Sequence, residues 1–113
     1  MTRVDFVRYV LQLLQATGAG QDVSAEDSAD VTTSINIALA ELAAKDAVDL
    51  TADFAADDFP DAFADCVGRY AANIAAPKFG LGRDEAVKRK AEVDIRDIAG
   101  RGVSFEPATA TYY

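Results

Sequence analysis

The segment Phe59–Ile98, FPDAFADCVGRYAANIAAPKFGLGRDEAVKRKAEVDIRDI, constrains the fold more than any other part of the chain, because two helices and their joint can be read from it. Phe63, Val67, Tyr70 and Ile74 recur at i, i+4, i+7 and i+11, which gathers large apolar side chains on one helical face. Ala64, Gly68, Ala71, Ala72 and Ala75 form an adjoining face with almost no bulk. A helix carrying both stripes can pack closely on two sides, so this one is expected to lie at the centre of the domain. Asp58 reads as its N-cap and Pro60 suits its first turn. Ala76-Pro77 is expected to stop it, since the residue before a proline is pushed out of the α region.

Three further helices follow from the same logic. Thr2 with Asp5 three residues on resembles a capping box with Asp in place of Glu or Gln, and the stripe Val7, Val10, Leu11, Leu14 predicts a helix from about Arg3 to Ala16. Gly18 and Gly20 end it, and the polar stretch to Val23 reads as a loop. Ser24 with Asp27 repeats the cap, and Val31, Ile35, Ala38, Leu39 and Leu42 carry a second helix to about Ala44, weakened in its middle by Thr32, Thr33 and Ser34. From Asp46 to Asp58 no helical stripe survives; the segment reads as a long acidic loop whose aromatics dock on the helices. The last helix starts after Gly82 with Val87, Ala91, Ile95 and Ile98 facing inward, and Glu85–Arg89 and Glu92–Arg96 as i,i+4 pairs on its outer side. Gly80-Leu81-Gly82 is the hinge before it. Beyond Gly100, RGVSFEPATATYY changes to extended, aromatic-ended sequence in which Pro107 forbids a continuous helix. The expected fold is therefore all-α: a four-helix antiparallel bundle over residues 1–100, with a long acidic loop and an extended C-terminal docking arm over 101–113.

Charge is the strongest functional signal. The chain has 113 residues and a net charge of −8, but between Asp22 and Asp65 there are 12 acidic residues against the single base Lys45, whereas Cys66–Tyr113 holds 8 basic and 6 acidic residues. That polarity disfavours wrapping a phosphate backbone and suits copies that meet acidic face to basic face. Lys88, Arg89, Lys90 and Arg96 are the basic candidates for such an interface. Arg101, Val103, Phe105, Tyr112 and Tyr113 are the candidates on the arm, aromatics being good interface anchors.

Several chemistries lose their usual residues. There is no histidine, which removes the commonest general base and zinc ligand. The one cysteine, Cys66, permits no internal disulfide and reads as a small apolar residue in a helix interface. Gly80-Leu81-Gly82 is too short for a phosphate loop and follows no strand. Asp57-Asp58 and Asp61/Asp65 lack the calcium-loop spacing. An acyl carrier protein would need a serine opening a helix in an Asp-Ser-Leu-like motif, and here Asp27-Ser28-Ala29 lies within a helix already capped at Ser24. A DNA-reading helix would have to be Ala86–Ile98, whose bases are balanced by Glu92, Asp94 and Asp97. No enzyme activity, cofactor or metal is expected. With no long apolar run and no leader-like apolar core after MTRVDF, a soluble chain made in the cytoplasm, with no membrane partner, is expected.

The run Ala71–Gly80, AANIAAPKFG, followed by Leu81 and a helix bearing Arg83, Lys88, Arg89 and Lys90, resembles the head-to-tail adaptor proteins of tailed phages. It is similar in particular to the packaged-DNA-stabilisation (tail accessory factor) family of short-tailed phages, in which a helix ending in an Ala-Pro-x-(Phe/Tyr)-Gly-like breaker leads into an Ala- and Lys-rich helix. The resemblance covers Pro60–Ala99 best, with a weaker echo in the first helix and in Ile35–Leu42, and rests on packing and turn residues. It implies a virion protein at the head–tail junction, a homo-oligomeric ring, dodecameric in the family, under the portal protein. Such a ring retains packaged DNA, which passes without sequence-specific binding, and presents a platform to tail or nozzle proteins. The chain is considerably shorter than the short-tailed type, which leaves the connector families of long-tailed phages open. A non-viral acidic helical interaction module is the alternative.

Overall fold

The computed structural model describes residues 1–14 and 24–101, and within them every regular element is a helix. Five α-helices occur among the described residues: α1 (Arg3–Leu13), α2 (Ala25–Ala44), α3 (Thr51–Ala55), α4 (Ala64–Ala75) and α5 (Glu85–Gly100). Short 3-10 turns, Asp61–Phe63 and Ala76–Phe79, flank α4. The expected loop and ending of the first helix beyond Leu14, and the expected arm beyond Arg101, lie outside the described residues.

The caps of α1 and α2 form as their sequence dictates. The Thr2 hydroxyl accepts the Asp5 N–H and the Ser24 hydroxyl accepts the Asp27 N–H, both at 3.1 Å, each satisfying one of the donors a helix start leaves orphaned. In the middle of α2 the Thr32 and Thr33 hydroxyls donate back to the carbonyls of Ser28 and Ala29, while Ser34, Ile35, Ala38 and Leu39 are buried. Packing therefore holds the segment of weakest helix propensity in place.

α4 is the packing centre. It touches α1, α2 and α5, and Cys66, Val67, Gly68, Tyr70, Ala71, Ala72, Asn73 and Ala75 are all buried. Its small face brings α1 close: a Cβ placed on Gly68 would sit 2.9 Å from Tyr9 Cε2 and 3.5 Å from Leu13 Cδ1. Cys66 is buried, its thiol directed at the Phe63 carbonyl, and burial raises its pKa.

The stretch between α2 and α4 differs from the expected loop. It contains α3, a short helix, and the ends of α2 and of α3 are closed by the same device. After α2, Asp46 takes the left-handed conformation (φ 58°), its N–H bonds the Ala43 carbonyl, and the Ala47 N–H bonds the Leu42 carbonyl. After α3, Asp57 (φ 63°) and Asp58 repeat the pattern onto Phe54 and Asp53. Both are Schellman ends with Asp where Gly is usual. Neither the polar turns nor a five-residue helix leaves a periodic stripe, which is why the segment reads as loop in sequence.

Its apolar residues lock it down. Phe59 stacks on Phe6 of α1 (4.3 Å, 18°), and Phe54 sits edge-on to both at 6.2 and 6.3 Å. Met1 and Phe59 are also joined through the Phe59 N–H at 2.8 Å, and the Asp57 carboxylate accepts the Arg3 N–H at 2.6 Å, capping α1 from outside.

Three boundary expectations are corrected. Asp58 is not the cap of the central helix, because the chain enters it through Pro60 and the 3-10 turn Asp61–Phe63, and α4 begins only at Ala64 with no side-chain cap; the Asp58 N–H instead helps to close α3. Ala76-Pro77 does not stop the helix outright. Proline has no N–H to lose at the start of a 3-10 turn, so the chain tightens through Ala76–Phe79 and ends at Gly80, whose φ of 77° suits glycine. On α5, Ala91 and Ile95 are buried but Val87 is 41% exposed rather than inward. That helix is seated by Ala91 and Ile95 with the partly buried Ile98 and Ala99, and polar contacts to α2 and α4 add to this.

Candidate interaction surface

α5 carries four of the basic residues singled out in the sequence and Arg101 follows its end, and the structure divides them by what they touch. Lys88 Nζ lies 3.1 Å from Glu41 on α2 and 5.4 Å from the centre of the Tyr70 ring. Arg96 pairs with Glu92 at 3.1 Å, the i,i+4 partner expected, and also donates to the Lys45 carbonyl at the end of α2. Lys90 pairs with Asp94 at 2.8 Å and Arg101 with Asp97 at 2.6 Å. Arg89 is exposed and has no ion pair among the described residues, the expected Glu85 pairing included. Val103, Phe105, Tyr112 and Tyr113 lie outside the described residues.

Two polar straps fasten α5, and neither was evident from spacing alone. In the first, the buried Tyr70 of α4 donates its hydroxyl to the Glu41 carboxylate and accepts from Lys45 Nζ at 3.3 Å, and Lys45 reaches on to Glu92 of α5 at 3.0 Å. Burial, reinforced by the bond to Glu41, pushes the Tyr70 phenol up to about 12. The Tyr70 hydroxyl holds the Glu41 carboxyl below its ordinary value, and the Lys45 bond does the same for Glu92. Lys45 is raised in turn, first by Glu92 and then by Tyr70. In the second strap Tyr9 of α1 donates to Asp65 at 2.8 Å, Arg69 of α4 pairs with Asp65 at 3.0 Å, and Arg69 reaches Asp94 of α5 at 2.8 Å. The Tyr9 bond lowers the Asp65 pKa, and Lys90 followed by Arg69 lowers that of Asp94. Glu41/Lys45 and Asp65/Arg69, both at i,i+4, are the parts of this network that spacing alone makes legible; the links to Tyr9, Tyr70, Glu92 and Asp94 join residues far apart in the chain.

What remains outward on α5 is a face of Arg89 and Val93, the latter 61% exposed, with Glu92 and Arg96 beside them around a shallow depression of about 250 Å³. Across the α2–α4 connection, Asp46, Asp49 and Asp58 are exposed and have no ion pair among the described residues. One domain thus presents a cation without an ion pair beside an exposed apolar side chain and, on another element, exposed carboxylates without ion pairs among the described residues.

A separate groove of about 420 Å³ lies between α1, α2 and α3. Val4, Val7, Phe54 and Ala55 give it apolar walls, Ser28, Thr32, Asn36 and Thr51 line it with polar groups, and Arg3 and Arg8 are its ionisable side chains. The signal for it was the cluster Arg3, Val4, Val7, Arg8 at i, i+1, i+4, i+5 of the first helix. Among the described residues no group of three or more His, Cys, Asp or Glu side chains is placed to hold a metal ion, and no helix is long and apolar enough to cross a membrane.

No family model, curated protein or solved structure matches the chain.

Proposed function

We propose that this chain is a structural subunit: a head-to-tail adaptor (connector) of a tailed phage or phage-like particle. In this reading copies form a homo-oligomeric ring below the portal protein, a dodecamer by analogy with the resembled family, that retains packaged DNA and offers tail or nozzle proteins their attachment platform. The long helices α1, α2, α4 and α5 act as a four-helix antiparallel bundle, α3 is an insertion between them, and residues 101–113 serve as the docking arm. The protein acts in the virion at the head–tail junction and performs no chemistry.

The observation that carries the reading is the separation of free charge on so small a domain. Arg89 and Val93 face outward on α5 while Asp46, Asp49 and Asp58 stand exposed on the α2–α4 connection. Side-by-side copies would set one against the other, and a largely acidic remaining surface would let DNA pass through a ring without adhering. Lys88 and Arg96 already reach Glu41 and the Lys45 carbonyl, so their part in assembly is to hold α5 in place for Arg89 and Val93, while Lys90 and Arg101 are paired with Asp94 and Asp97 of α5 itself.

Particle mass tests it. The full chain should form a ring when mixed with a portal ring from the same particle, and Arg89→Glu with Val93→Asp should prevent this while leaving the helical spectrum unchanged. A chain that adds no mass to the portal at any concentration would refute the proposal.

A further inference from the structure

We propose that the α1–α2–α3 groove is the receptor for the segment Gly102–Tyr113 of a neighbouring copy, with the adjacent pair Phe105-Glu106 as the recognised element. At about 420 Å³ the groove falls within the range, roughly 300–1,000 Å³, of sites that take a small ligand. Its wall is unfinished: Val4 is 66% exposed beside the buried Val7 and Phe54, so an apolar side chain laid there would cover surface that the fold leaves wet. Its charge is equally incomplete. Arg3 is engaged with Asp57 at 3.7 Å and with the Ala55 carbonyl at 3.4 Å, whereas Arg8 has no ion pair or hydrogen bond among the described residues. The occupant that fits is a peptide placing an aromatic group next to a carboxylate, with backbone groups for Asn36 and Thr51 to meet.

The chain contains such a peptide. Glu106 is the one acidic residue after Asp97 and follows Phe105 directly, in a stretch of extended-favouring residues. Carboxylate-rich alternatives within the same chain are excluded as donors, because Phe54 and Phe59, the aromatics beside Asp53 and Asp58, are buried in the core. A neighbouring copy is the source rather than the same one because of where the segment begins. It follows α5, which packs on α4 and the Asp61–Phe63 turn, whereas the groove is walled by α1, α2 and α3. Extended at about 3.3–3.6 Å per residue, the segment reaches roughly 40 Å, enough to cross to an adjacent domain. This rests on the reading of the chain as a self-assembling subunit and makes no use of a portal.

Sedimentation velocity of the full chain over a concentration series, without portal, tests it. Arg8→Glu and Glu106→Arg should each weaken self-association by about tenfold or more, and the double charge swap should recover it to within about threefold of the parent. Val4→Asp, which alters the groove without touching an ion pair, should weaken association as the charge reversals do. Helical spectra and melting of all variants should match the parent. The inference is overturned if the parent stays monomeric throughout, if Arg8→Glu associates normally, if the double variant stays as weak as the singles, or if Glu106→Arg lowers the melting of a monomer, which would mean the segment occupies its own groove. Self-association through Arg8 and Glu106 in a chain that ignores portal rings would leave this inference standing and the connector reading refuted.

Discussion

Replacing Tyr70 by Phe removes one oxygen from the junction of three helices and should destabilise the domain by about 1–2 kcal/mol. The ring stays, so its packing against the core and the cations near its face are kept. The loss is the hydroxyl's donation to the Glu41 carboxylate and its acceptance from Lys45 at 3.3 Å. Hydrogen bonds to charged groups contribute about 1.5–3 kcal/mol each, but Glu41 keeps Lys88 at 3.1 Å and Lys45 at 3.8 Å and is partly solvated, which sets the estimate at the low end. For a domain of this size about 1 kcal/mol corresponds to a midpoint shift of about 4–8 °C. The pH dependence distinguishes this cause from loosened packing. The folded-state pKa of Glu41 is depressed, Tyr70 being the first cause, so the stabilisation is present above the ordinary carboxylate value and is lost as pH falls through the lowered one. The gap between parent and Tyr70→Phe should therefore be full at pH 7 and close in acid. At the other extreme the Tyr70 phenol is raised to about 12, so its contribution is complete below the usual tyrosine pKa and fades as pH rises toward about 12. Thermal melts of parent, Tyr70→Phe, Glu41→Gln and the double variant, followed by circular dichroism from acid to neutral pH, complete the cycle. An unchanged midpoint at pH 7, or a gap that persists undiminished in acid, would refute the argument.

Two further substitutions probe the backbone and the close helix contact. Asp46→Gly should raise stability by about 0.5–1 kcal/mol, since Asp46 holds a left-handed conformation at the end of α2 with its side chain exposed; Asp57→Gly should gain nothing comparable, because the Asp57 carboxylate also caps α1, and chemical denaturation of the pair separates the two. Gly68→Leu should cost about 1–3 kcal/mol, because even a Cβ would come within 2.9 Å of the Tyr9 ring that is anchored to Asp65; a melting midpoint at or above the parent's would show that α1 can yield.

Periodicity and caps were enough to read the long helices from the chain, because both are local. The stripe Phe63, Val67, Tyr70 lies buried along α4 and the turn that leads into it, and Thr2 and Ser24 cap where their spacing to Asp5 and Asp27 places them. Gly68 and the alanines of the same helix likewise mark a face that permits close approach, a consequence of side-chain volume alone. α3 was illegible because five residues cannot show a period, and because the end of α2 before it and its own end are closed by aspartates in a conformation that sequence assigns first to glycine. Which charges find partners inside the chain was illegible for a related reason. The basic residues of α5 look alike in sequence, yet Lys88 and Arg96 answer Glu41 and the end of α2, while Arg89, like Arg8 of α1, has no ion pair among the described residues. A residue's chemistry is written in the chain, but whether its charge is spent inside the molecule or remains for a partner depends on which distant helices are brought within a few ångströms. That is decided by the shared core, since burying Tyr70, Ala91 and Ile95 together fixes the distances at which every surrounding ion pair must form or fail.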